Sequence, residues 1–230
     1  KYVSDVSPKI WDALLLTDYI QSTANEDVFF FKREVKHTKI IDLLLDEDEI
    51  FLNFKKNTRN EIRRAKTYGF LIENINSLGD FSSFYNKNKK NKLNQEYFEK
   101  SYSINENIII TSINYNTHVL VMHSYLIDIQ KGRARLMHSV TNEEIDDIKI
   151  NKKIIGFANR YLHYKDILFF KEKNFVKYDL GGYAHETNNI KLEGINKFKD
   201  SFGGEMIAEY NYRSIFLILL NNVKKVLKDK

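Results

Sequence analysis

The chain has 230 residues and a mass of 27.3 kDa, with 36 Lys+Arg against 31 Asp+Glu, one proline, nine glycines and no cysteine. The lack of cysteine excludes a disulfide framework, a thiolate metal or iron–sulfur site and a Cys nucleophile, and it accords with a cytoplasmic protein. A hydrophobic content of 43% and a charged content of 29% exclude a disordered chain and predict one soluble domain over 1–230, while a net charge of +5 is too small to argue for DNA binding.

In chain order, Lys1–Ser7 is polar and has no signal-peptide apolar region. Ser7 and Pro8 predict a helix start, with Ile10, Leu14, Leu15 and Tyr19 on its apolar face. Val28–Val35 reads as a strand, and Asp46–Tyr68 as one or two helices ended by Gly69. Phe70–Ile75 is a short strand and Phe81–Lys92 a polar helix with a lysine run. Ile108–Ile113, His118–Ile129 and Arg133–Val140 predict three antiparallel strands, the last two joined at Lys131-Gly132. A helix over Asn151–Lys173, a strand over Phe175–Leu180, a strand over Glu205–Tyr212 and a C-terminal helix complete the order. The apolar run Ile215–Leu220 is far shorter than a membrane span and continues into basic Asn221–Lys230. This pattern suits a helix docked on the core with a solvated lysine tail, or a basic amphipathic helix touching anionic lipid.

The order is α+β: a mostly antiparallel sheet with one strand–helix–strand crossover, Arg133–Val140, Asn151–Lys173 and Phe175–Leu180. A crossover helix makes its two strands parallel and sets a helix N-terminus, an anion site, at the strand ends. Ile154-Ile155-Gly156-Phe157-Ala158-Asn159-Arg160 would then meet a pyrophosphate. Five of the nine glycines fall at Gly181, Gly182, Gly194, Gly203 and Gly204, which concentrates special backbone in one stretch.

These residues resemble a known family. Gly156-Phe157-Ala158-Asn159 with Leu162, then Tyr178-Asp179-Leu180-Gly181-Gly182, then Gly194-Ile195-Asn196-Lys197-Phe198-Lys199 and Phe202-Gly203-Gly204 resemble the Fem-like branch of the GNAT acyltransferases. Arg59-Asn60-Glu61-Ile62-Arg63-Arg64-Ala65-Lys66 resembles the basic helix of that branch. The resemblance covers most of the chain from about residue 50 onward and implies a GNAT-like sheet whose two splayed parallel strands grip the donor. The branch includes peptidoglycan peptidyltransferases that use aminoacyl-tRNA and smaller enzymes that use acyl-CoA. The chain is shorter than the two-halved peptidyltransferases and keeps only the end of the GNAT phosphate fingerprint, at Gly156-Phe157-Ala158.

What the resemblance implies is an N-acyltransferase moving an acyl group from acyl-CoA to the amine of an amino sugar, plausibly nucleotide-linked, for surface polysaccharide. The alternatives are an aminoacyl-tRNA-dependent transferase acting on a cell-wall precursor and a non-catalytic acyl-CoA-binding module. Asp179, His138 and His185 are the candidate proton carriers, each with a purely structural alternative: a turn cap for Asp179, packing or a loop position for the histidines. Arg59, Arg63, Arg64, Tyr183 and Lys199 are the candidate acceptor- or phosphate-binding residues. His123 is a weaker candidate, and His37, His118 and His163 read as packing or surface residues. No metal set is visible.

Overall fold

The computed structural model describes residues 8–16, 19–22, 24–75, 77–94, 107–145, 147 and 150–228. They divide into two compact units, a larger one over Ile40–Gly181 and Gly194–Glu205, and a smaller one over Lys1–Lys39, Gly182–Glu193 and Met206–Lys230.

In the larger unit, α2 (Glu47–Leu52) opens on a reciprocal cap. The Asp46 carboxylate accepts from the Glu49 amide at 2.7 Å, and the Glu49 carboxylate accepts from the Asp46 amide at 3.1 Å. Helix α3 (Lys56–Ala65) buries the stripe Thr58, Ile62 and Ala65 and ends in a 3-10 turn at Lys66–Tyr68 before Gly69. Strand β3 (Leu71–Ile75) leads to α4 (Leu78–Asn88), which is capped by the Ser77 hydroxyl. Helix α4 stops four residues short of the expected Lys92. The Asn86 side chain turns the chain back by accepting from the Leu93 amide at 2.7 Å, and the clustered lysines oppose further helix.

Strands β4 (Ile108–Tyr115), β5 (His118–Asp128) and β6 (Arg133–Thr141) follow, then α5 (Lys152–Glu172) and β7 (Lys177–Tyr183). The sheet order in this unit is β7-β6-β5-β4-β3, with β3–β4, β4–β5 and β5–β6 antiparallel and β6–β7 parallel. The mixed sheet with one parallel pair and flanking helices is the GNAT-like α+β architecture expected. Helix α5 lays Ile155, Ala158, Leu162, Ile167 and Phe170 on the sheet. Phe54, Phe170 and Phe202 are fully buried, the kind of side chain whose truncation to alanine costs about 3–5 kcal/mol. Lys171 reaches out of α5 to donate to the Leu43 and Leu45 carbonyls at 2.8 and 2.6 Å.

In the smaller unit, β1 (Tyr19–Ser22), β8 (Glu205–Ser214) and β2 (Phe31–Asp42) are neighbours in that order, and α1 (Ile10–Leu14) and α7 (Ile215–Lys228) accompany them. Strands β2, β7 and β8 and helix α6 (Ile190–Asp200) pass from one unit to the other. The expected cap Ser7 lies outside the described residues, and the first helix stops at Leu14, so Tyr19, expected on its apolar face, opens strand β1 instead. Strand β2 runs to Asp42, beyond the expected Val35, because Ile40 and Ile41 bury in the larger unit.

Candidate active site

The two parallel strands stay together only briefly. Arg133 pairs with Lys177, Ala134 with Tyr178 and Arg135 with Asp179, and there the parallel register stops. One step later β6 bulges at Met137, since Leu136 faces Tyr125 while His138 faces the next β5 residue, Ser124. A bulge bends its strand and re-aims the side chains beyond it. Gly181 occupies the mirror position on β7 with φ +78°, and a Cβ there would stand 2.9 Å from the Leu136 carbonyl oxygen. Only glycine permits both the backbone conformation and the approach.

Lys199, from α6, reaches this place. Its Nζ lies 3.9 Å from the point a Gly181 Cβ would occupy. Burial pulls the Lys199 ammonium down to about 8, partly offset by attraction to Asp179 and reinforced by repulsion from Arg135. A desolvated cation at the divergence of two strands can hold a carbonyl oxygen on which negative charge develops.

Asp179 forms the floor. Its Oδ2 accepts from Arg133 Nε at 3.0 Å, from Arg133 Nη2, and from Arg135 Nη1 at 3.0 Å, while Oδ1 accepts from the Gly181 amide at 2.7 Å. With donors on both oxygens, the carboxylate is placed to fix two guanidinium groups and the turn into Gly181, which is a different task from taking a proton off an amine. His138 stands on the face of β6 that carries Arg133 and Arg135, because the β5 partners of the three are Ser124, Asp128 and Leu126. Its Nδ1 lies 2.9 Å from the Ser124 hydroxyl, Phe81 and Tyr85 pack on its ring, and burial lowers its pKa.

Behind this site, on the α5 side of the sheet, runs a buried polar chain that the sequence reading missed. Asp166 Oδ2 lies 2.7 Å from His123 Nδ1 and accepts from the Tyr125 hydroxyl at 2.6 Å. The Tyr125 and Tyr178 hydroxyls are 2.8 Å apart, and Tyr178 meets His163 Nδ1 at 2.9 Å. On its other side His123 Nε2 lies 3.0 Å from Asn159 Oδ1, which also accepts from the Ser139 hydroxyl at 3.3 Å. Burial and the nearby Asp166 charge push both tyrosines well above their ordinary values. Burial also pushes His163 well down, with Coulomb repulsion from His123, Lys199 and Arg160 in the same sense, and its Nε2 is buried without a partner. The available signal was spacing: Asn159, His163 and Asp166 share one face of an otherwise apolar helix, and His123 and Tyr125 share one face of β5.

The remaining expected residues distribute as follows. The α5 N-terminus is capped by Asn151, whose Oδ1 accepts from the Lys153 and Ile154 amides at 3.0 and 3.1 Å. Gly156 therefore sits in the second turn of the helix, not at its mouth. Ile155, Phe157 and Ala158 are buried in the core and Ile154 packs at its edge. Arg160 pairs with Glu61 at 2.9 Å and covers the Phe198 ring, and Phe198 packs on Phe202 as its helical spacing suggests. Arg59 caps α2 by donating to the Leu52 carbonyl at 2.7 Å and to that of Phe54. Arg63 and Arg64 are exposed, over Phe51 and Phe157, and Lys153 also stands over Phe157. Tyr183 and His185 belong to the smaller unit, where Lys39 covers the Tyr183 ring and His185 stacks on His37 at 4.5 Å. Among the described residues there is no cluster of His, Asp and Glu suited to a metal ion.

No family model matches the sequence, and no curated protein sequence matches it. Solved structures do match the fold. The chain is similar to FemX (12% identity, TM-score 0.60, 81% of this chain and 63% of FemX). It is also similar to L-PGS from Bacillus licheniformis (11%, 0.58, 93% and 73%). A third is the C-terminal domain of a protein described as a lysylphosphatidylglycerol synthetase, from Agrobacterium fabrum (11%, 0.57, 90% and 71%). The chain thus spans less than two thirds of the length of FemX. At these identities the likeness establishes the fold alone: the chain shares the fold of FemX and of L-PGS.

Proposed function

We propose that the larger unit is the catalytic part of a transferase that moves an acyl group onto an acceptor amine, with an aminoacyl-tRNA as donor. The observation that carries the reading is Lys199, a desolvated ammonium at the point where β6 and β7 part, beside Gly181 and the Leu136 carbonyl. The amine attacks the donor carbonyl, Lys199 donates to the oxygen as it becomes an oxyanion, and collapse of the tetrahedral intermediate breaks the ester bond and releases the tRNA ribose oxygen. His138, neutral at pH 7 because burial lowers its pKa, takes the proton of the attacking amine and returns it to that departing oxygen. Asp179 holds Arg133 and Arg135 so that the floor of the site carries fixed positive charge. Direct attack needs no covalent enzyme intermediate, in accord with a chain that has no cysteine.

Two features favour tRNA over coenzyme A. The α5 amides that would receive a pyrophosphate are already capped by Asn151. Exposed Lys56, Arg63, Arg64, Lys66, Lys152 and Lys153 give the α3 surface and the first turn of α5 a positive face suited to a polyanion. The fold shared with FemX is in keeping with this reading.

A second reading, transfer from acyl-CoA to a nucleotide-linked amino sugar, is favoured by the end of the parallel register at Arg135–Asp179, beyond which β6 bulges and its backbone groups can bond a pantetheine arm. Competition decides between them. The protein is offered aminoacyl-tRNA or acyl-CoA with a panel of amine acceptors, cell-wall precursors and nucleotide amino sugars included, and product is followed by mass. Transfer from tRNA with steep salt dependence supports the first reading, thiol release from acyl-CoA supports the second, and no transfer from either overturns both.

A further inference from the structure

The smaller unit carries a surface that the proposed chemistry does not use. Three elements converge on the start of α7. The Ser214 hydroxyl donates to the Ala13 carbonyl at 2.8 Å, the Ile215 amide donates to the Phe30 carbonyl at 2.9 Å, and the Phe30 ring lies 5.3 Å from that of Phe216. Beside this junction stand large apolar side chains with little covering them: Trp11 is 74% exposed, Leu15 73% and Phe29 73%. From it α7 carries an exposed stripe of Leu219, Val223 and Leu227 at four-residue spacing, reaching about 18 Å along the helix. Phe30 is held at φ +66°, a left-handed conformation that costs a non-glycine residue about 1–3 kcal/mol. The turn it forms presents Phe29 outward with the two rings edge to face at 5.0 Å. Scattered exposed apolar residues are ordinary, but an aromatic tip, a Trp-bearing helix and an apolar stripe meeting at one junction form a patch that marks an interaction site.

The charge of the patch selects the partner. Helix α7 has no acidic residue and carries Lys224, which is exposed. Arg213 is exposed immediately before it, and Lys9 is exposed immediately before α1. Nearby acidic groups have partners: Asp12 accepts from the Lys9 amide, Asp27 pairs with Arg33 at 3.1 Å, and Glu34, which feels the Arg213 charge, pairs with Lys36. A two-fold copy of this face would set the same lysines against one another, since such an interface repeats one patch on both sides. A helix with an apolar stripe and flanking lysines, beside protruding Trp and Phe, matches the interface of an anionic bilayer. No helix among the described residues is long and apolar enough to cross a membrane, so the contact is peripheral.

We infer that the α1–α7 face of the smaller unit, with its Phe29 tip, docks on the surface of an anionic lipid bilayer. The inference stands independently of the proposed chemistry. The test is co-sedimentation of the 230-residue chain with vesicles of phosphatidylcholine alone and of phosphatidylcholine mixed with phosphatidylglycerol. The expected result is roughly a hundredfold tighter binding to the mixed vesicles, lost in high salt, because each of Lys9, Arg213 and Lys224 near the surface is worth about 1 kcal/mol, or roughly fivefold. Trp11→Ser and Phe29→Ser, both at exposed positions and so tolerated by the fold, each weaken binding about tenfold. Lys224→Glu lowers the preference for anionic lipid about twentyfold while far-ultraviolet circular dichroism stays unchanged. Equal binding to both vesicle types, binding that ignores all three substitutions, or no binding at all would overturn the inference. So would a concentration-dependent dimer in sedimentation velocity that Trp11→Ser abolishes, because the patch would then belong to a second copy.

Discussion

Asp166 and Asp179 are two buried carboxylates of the larger unit, and their partners differ in kind. Asp179 is answered by two guanidinium groups, which keep their charge at every accessible pH. Asp166 is answered by an imidazole and a phenol, and burial with the Asp166 charge holds the phenol well above its ordinary pKa. The first arrangement sets charge against charge, and the second sets one charge against a hydrogen-bonded ring and hydroxyl. The site at the parting strands is thus built on a floor whose charge does not titrate, with the titratable chain held on the opposite face of the sheet.

The comparison can be broken first at Asp179. Asp179→Ala leaves the buried Arg133 charge uncompensated and should lower stability by about 3–5 kcal/mol in urea titration, and it should lower the Lys199 pKa further, below about 8, because Asp179 supplies the attraction that holds it up. Asp166→Ala removes the shared acceptor of the Tyr125 hydroxyl and His123, a loss of about 2–3 kcal/mol.

How much of this was legible beforehand follows from which physical signals are local. The helix of the crossover unit was legible to within a residue at each end, and Gly132 marks the start of β6. Strand β7, by contrast, begins at Lys177 rather than Phe175 and runs through both glycines to Tyr183, because Gly181 packs on the Leu136 carbonyl instead of ending the strand. The Asp179-Leu180-Gly181-Gly182 stretch pointed to the right place. The turn cap expected as the structural alternative for Asp179 is there, its Oδ1 accepting from the Gly181 amide, but the arginines on Oδ2 were not legible because they are 44 and 46 residues away. The bulge at Met137 follows from pairing with β5 and leaves no mark in composition. His163 read as a packing residue because nothing near it in sequence announces Tyr178, 15 residues on across a strand boundary.

The third prediction uses His163. Its folded-state pKa lies well below 6.5, so the unfolded chain takes up a proton that the folded chain refuses. Stability is then fully present above pH 6.5 and falls as pH drops below it, by up to about 1.4 kcal/mol per unit until the folded-state value is reached. His163→Gln should flatten this limb in thermal melts taken from pH 7 to 4, whereas a variant at Arg135 should not. The smallest effect belongs to Tyr125→Phe, which removes one donor to Asp166 and should cost about 1 kcal/mol while leaving the Asp179 floor and the transfer rate intact.

The central claim is that Lys199 acts as a cation on the reacting carbonyl, and a pH–rate profile of single-turnover transfer tests it most directly. The account predicts that the rate declines as pH rises through about 8, where Lys199 loses its proton. Lys199→Met should lose roughly 10²–10³-fold at pH 7 with substrate affinity little changed, and with that limb gone from its residual activity. A Lys199→Met enzyme with the wild-type rate, or one that keeps the same limb near pH 8, would contradict the account.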